Sequence, residues 1–140
     1  MAITSLAVFM DYLADLSVTG VVVNRGNALI GPPDNVQSAD LPMKWVTLPF
    51  SNEGPLTFSG EGGWPTLSGQ VVIAMESVNL NTPEARVDAY IAMVDNLDTA
   101  LRAGSVTKTK MSWTTALETV FIGKDAAEYL ALIATVTGAG

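Results

Sequence analysis

The sequence predicts an α+β fold: a mixed, mostly antiparallel sheet of four to five strands, two helices packed on one face, and a long Gly-rich arm. Three observations predict it. Two segments repeat apolar residues at helical spacing, whereas the other apolar segments are short and rich in β-branched residues. The order is helix, three strands, helix, two strands, which groups strands as neighbours and does not alternate each with a helix. The chain of 140 residues is one domain, 1–140, long enough to bury a core without disulfide staples.

In the first helix, Leu6, Phe9, Met10, Leu13 and Leu16 share a face, with Asp11 and Asp15 elsewhere. Thr4 or Ser5 is the candidate N-cap, and Gly20 the expected stop. Val21–Asn24 is a short strand. Met43–Phe50 alternates weakly. Gln70–Val78 alternates better, with Val71, Ile73 and Met75 on one face. The second helix has the clearest signature. Thr82 suits the N-cap, Pro83 the first turn and Glu84 the positive helix end. Val87, Ile91, Val94, Leu97 and Leu101 then form its expected apolar stripe, and Gly104 its expected end. Met111–Ile122 puts Trp113, Leu117 and Phe121 on one face. With the apolar Tyr129–Thr137 it forms a hairpin through Gly123-Lys124-Asp125. Asp125–Ala134 is also compatible with a third helix.

Two stretches fit no element. Arg25–Asp40 holds Gly26, Gly31, Pro32 and Pro33, and Ser51–Ser68 holds Gly54, Pro55, Gly60, Gly62, Gly63 and Pro65. Loops beyond about 12–15 residues are uncommon in compact domains and are usually functional or disordered. Leu56–Phe58 is a possible further strand inside the second stretch. That Gly-rich arm is expected to be mobile in the free subunit and ordered by a neighbour.

Composition excludes several chemistries. There is no cysteine and no histidine, so disulfides, thiolate nucleophiles, Cys/His zinc sites and imidazole-based triads are all ruled out. Fourteen acids against seven bases give −7, with a pI near 4.2, which disfavours tight binding along a phosphate backbone. No stretch spans a membrane, because Asp11 and Asp15 interrupt the most apolar one, Leu6–Val23. The N-terminus also lacks the basic region of a signal peptide. Charged residues are 15%, against about 25% in ordinary soluble domains. So apolar a chain exposes more greasy surface than one small core hides. That points to an obligate oligomer, with a monomer built on an Ala- and Val-rich core as the alternative.

Motifs for catalysis are weak. Gly26 and Gly31 lead into Pro32-Pro33 where a phosphate loop needs Lys and Ser/Thr, and Gly60, Gly62 and Gly63 lead into Trp64-Pro65. Asp11/Asp15 and Asp95/Asp98 have helical spacing but lie on polar faces, where carboxylates simply meet water. No catalytic, cofactor-binding or metal-binding residue is assigned, and no cofactor is expected. Trp45 and Trp113 read as core or interface anchors. Trp64 sits in a Gly-rich loop, where a large aromatic suits an interface hot spot or tucks onto the sheet. Lys108 and Lys110 flank Thr109 before a strand, where they discourage edge pairing, meet an acidic neighbour or simply aid solubility. Arg25, Phe58, Glu61, Trp64, Lys108 and Lys110 are the candidate partner contacts, although Arg25 beside Gly26 also suits a solvated turn.

The ordered pattern resembles the tail terminator (tail completion) proteins of long-tailed bacteriophages and related gene-transfer particles. The residues that carry the resemblance are the helix Ile3–Leu16, the strand Leu41-Pro42-Met43-Lys44-Trp45-Val46-Thr47-Leu48-Pro49, and a Gly-rich arm leading into Ser68-Gly69-Gln70-Val71-Val72-Ile73-Ala74-Met75. The acidic-faced helix Ala85–Arg102 and the closing Tyr129-Leu130-Ala131-Leu132-Ile133-Ala134-Thr135-Val136 complete it. It covers nearly the whole chain and is one of element order and character. It implies a hexameric ring at the head-proximal end of the tail tube that stops tube growth and offers the head-joining surface. The implied partners are further copies of the chain, the tail tube protein and a head-completion or connector protein. DNA only passes through the lumen, and no membrane is involved. The implied location is the tail-neck region of the virion, after assembly in the host cytoplasm. An acidic ring suits a DNA channel, since repulsion keeps phosphate from sticking. The Arg25–Asp40 connection is long for this family. The alternatives are another head-to-tail connector or minor tail component and, outside virions, a small carboxylate-based enzyme or a ligand-binding module.

Overall fold

The computed structural model describes residues 6–27, 40–47, 56–58, 65–77, 83–107, 110–122 and 127–139. Along the chain come α1 (Leu6–Asp15), β1 (Val23–Asn27), β2 (Met43–Thr47), β3 (Leu56–Phe58), β4 (Pro65–Ser77), α2 (Pro83–Thr107), β5 (Lys110–Ile122) and β6 (Ala127–Ala139). All the strands join one sheet, in the order β1-β2-β4-β6-β5, with β3 alongside the start of β4. Only β1–β2 is parallel. The fold is α+β with a mixed, mostly antiparallel sheet, and β3 adds one strand to the four or five expected.

The parallel β1–β2 pair accounts for one of the two long connections. Parallel neighbours need a crossover that returns the chain along the full strand. The β5–β6 pair is the expected hairpin, in continuous register from Lys110↔Ala139 to Ile122↔Ala127. Residues 127–134 are strand, so the third helix does not form there. This Ala- and Leu-rich segment has a long partner strand on each side and gains ladder hydrogen bonds from both, which overrides its local helix preference.

One sheet face carries both helices. Phe9, Met10 and Leu13 of α1 and Met93, Leu97 and Leu101 of α2 meet Val46, Leu67, Val71, Ile73, Leu132, Ala134 and Val136 in a single buried cluster. Two glycines let α1 lie close. A Cβ at Gly69 would stand 2.9 Å from Leu13 Cδ1 and Met10 Sδ, and one at Gly138 would stand 2.9 Å from Phe9 Cε1. Register puts Gly69 and Gly138 on adjacent strands, on the face that bears Leu67 and Val136.

Several boundaries differ from expectation, each for a physical reason. The first helix stops at Asp15 and not at Gly20. Its terminal carbonyls are taken by side chains: Lys44 Nζ donates to Leu13 O (2.7 Å) and Ala14 O (3.1 Å), and Asn24 Nδ2 donates to Ala14 O (2.8 Å). Gly20, at φ 94°, instead turns the following loop, where Asn96 Nδ2 donates to Thr19 O (2.9 Å). The first strand is shifted to Val23–Asn27 and includes Arg25 and Gly26, which fall at the irregularity in its pairing with β2.

The second helix runs through Gly104 to Thr107. A helical glycine costs about 1 kcal/mol, which packing at the preceding Leu97 and Leu101 offsets. Its buried stripe is rotated from the expected one. Val87 and Ile91 are both 53% exposed, while Met93 is buried. Met93 reaches the turn at Gly20, so the buried arc is turned toward the loop that follows α1.

The stretch 51–68 is not wholly an arm outside the core. Leu56–Phe58 pairs with β4, β4 already begins at Pro65, and Leu67 is buried at 1% exposure. Residues 51–55 and 59–64 lie outside the described residues.

Candidate interaction surface

No described helix lies on the second sheet face. Near β2 it is apolar: Met43, Trp45, Val72, Ala74 and Ala131 are buried, with Val23, Leu41, Val120, Tyr129 and Ile133 packed against them. Toward the other end of β4, and on β5 and β6, the same face turns to hydroxyls and an amide. Ser68 and Thr137 hydroxyls lie 3.4 Å apart, and Gln70 Nε2 donates to Thr135 Oγ1 at 3.5 Å. On β5, Ser112, Thr114, Ala116 and Glu118 continue that face and are exposed. Across all these strand positions Glu118 is the one charged residue with a described side chain. The face is therefore polar enough to be wet and has almost nothing to hold an ion.

The sheet ends on β5, whose outer side no described strand covers. β5 is 13 residues long, contains no proline and carries two charges, Lys110 and Glu118. On the helix side it is fastened at Trp113, whose Nε1 donates to Asp98 Oδ1 (2.9 Å), while Asp98 Oδ2 accepts from Arg102 Nε (2.7 Å). The Arg102 hydrogen bond, aided by Trp113, holds the Asp98 carboxyl below the usual carboxylate range. Asp98 is thus a brace between α2 and β5, not a water-facing partner of Asp95. Asp11, Asp15 and Asp95 are exposed, as their polar faces imply.

Lys44 is a feature the sequence reading missed. It is 0% exposed among the helix ends and β2, and burial lowers its amine to about 8, against the opposing pull of Asp15. The signal was present in the alternation of Met43, Lys44, Trp45 and Val46, which puts Lys44 on the helix-covered face. What the alternation does not convey is that both faces of β2 are buried, with Lys44 beneath the end of α1. A cleft of about 310 Å³ lies beside it, lined by Asp15, Ser17, Val22, Asn24 and Lys44 among others. A smaller apolar cleft of about 110 Å³ lies between α2 and the sheet at Met75, Tyr90, Leu117 and Leu130.

Of the candidate contacts on described strands, Arg25 lies apart from Phe58 and Lys110. Arg25 is exposed on β1, at the edge opposite β5. Phe58 ends β3 opposite Pro65, and Lys110 starts β5 opposite Ala139, which is itself opposite Thr66. The sheet therefore brings positions 58 and 110 to the same end of the molecule. Glu61, Trp64 and Lys108 lie outside the described residues. Among the described residues no three acidic side chains cluster as a metal site needs, and no helix is long and apolar enough to cross a membrane. No protein-family model matches the chain, and no curated protein matches it.

Proposed function

We propose that this chain is a structural virion protein of the tail-terminator kind. Six copies form a ring at the head-proximal end of the tail tube, end its polymerisation and provide the surface that joins the head. The supporting observation is the hydroxyl-lined part of the second sheet face, on which no described helix lies, together with the place of β5 at the end of the described sheet. A face lined by Ser68, Gln70, Ser112, Thr114, Thr135 and Thr137, on a chain of net charge −7, suits a wall past which a polyanion slides without sticking. The exposed side chains of β5 and the apolar Val87 and Ile91 give surface for neighbouring subunits. The resemblance in element order supplies the placement at the tail neck, with the tube protein and a head-completion or connector protein as partners.

The test is a tail-assembly reaction followed by image reconstruction of capped tubes. The expected result is a ring of six at one tube end, each interface burying on the order of 800 Å² per partner. Trp64→Ala is expected to keep its melting point and to lose capping, a loss of at least ~2 kcal/mol of association if Trp64 is a hot spot. A single copy or a pair at the tube end overturns the reading, as does normal tube length in the absence of the protein.

A further inference from the structure

We draw no further inference here: the strongest candidate, the exposed apolar surface at Val87 and Ile91 of α2 and Leu117 of β5, carries nothing further, because nothing in the structure shows what covers it.

Discussion

Lys44 shows how much one buried side chain organises. Its ammonium closes the negative end of α1 by donating to the Leu13 and Ala14 carbonyls, which also accept from Leu16 N and Asn24 Nδ2 respectively. Burial lowers its amine to about 8 from the ordinary 10.5. Between those values the unfolded chain holds a proton that the folded chain has released, so stability rises with pH across that window. The full gain is about 3 kcal/mol. A neutral amine keeps two N–H groups for the same two carbonyls, so the contact survives deprotonation. Burial raises the Tyr12 and Tyr90 hydroxyls, which acts in the opposite sense once the unfolded tyrosines ionise near pH 10. Thermal melts of the native chain and Lys44→Met at a series of pH values check this. Between pH 7 and about 9.5, the melting point of the native chain should rise relative to that of the variant. Parallel curves would mean that Lys44 carries the same charge in both states. Lys44→Met should also lower stability at neutral pH by about 1 kcal/mol, because each of two carbonyls loses one of its two donors.

At the level of elements, the seating of α1 on the sheet rests on glycines and not on helix propensity. A ten-residue helix is marginal alone and is held by its packed face. Gly69 and Gly138 remove two side chains from beneath Phe9, Met10 and Leu13. The two sites differ in what an added methyl meets. At Gly69 the obstacles are the ends of Leu13 and Met10, which can swing. At Gly138 the obstacle is the edge of the Phe9 ring, which cannot shorten. Gly138→Ala is therefore expected to destabilise by about 1–3 kcal/mol, and Gly69→Ala by clearly less. Urea unfolding of both variants measures the order, and a reversed order would mean that Phe9 does not cover position 138. Both α1 and its apolar positions Phe9, Met10 and Leu13 were legible from helical spacing. Its end was not, because the groups that cap it come from Asn24 and Lys44, across the loop and on the next strands.

For the whole molecule, the central pairing is β4 with β6. Its partners run from Ser77↔Tyr129 to Thr66↔Ala139, with α2 and β5 between them in the chain. Such non-local pairing closes a long loop before any contact rewards it, so refolding is expected on the millisecond-to-second scale and not in microseconds. Trp45, buried against Val72 and Met43, supplies the fluorescence signal in a stopped-flow experiment. Complete recovery of that signal within the mixing time would contradict this account.

Local residue chemistry by itself determined the α+β class, the order of elements, the terminal hairpin, and the absence of cysteine and histidine chemistry. Those follow from period, turn residues and composition, which act over a few neighbouring positions. The tertiary structure decided which faces those elements bury. The stripe on α2 turned from Val87 and Ile91 toward Met93 because α1 and its loop lie beside it. Lys44 became buried because its strand position lies beneath the end of α1, and Leu67 left the expected arm for the core because β4 starts earlier than its alternation showed. The place of β5 at the end of the described sheet likewise exists only once strand order is set. No local pattern encodes which strand is last in a sheet, since that depends on partners more than fifty residues away, as Ser77 and Tyr129 are.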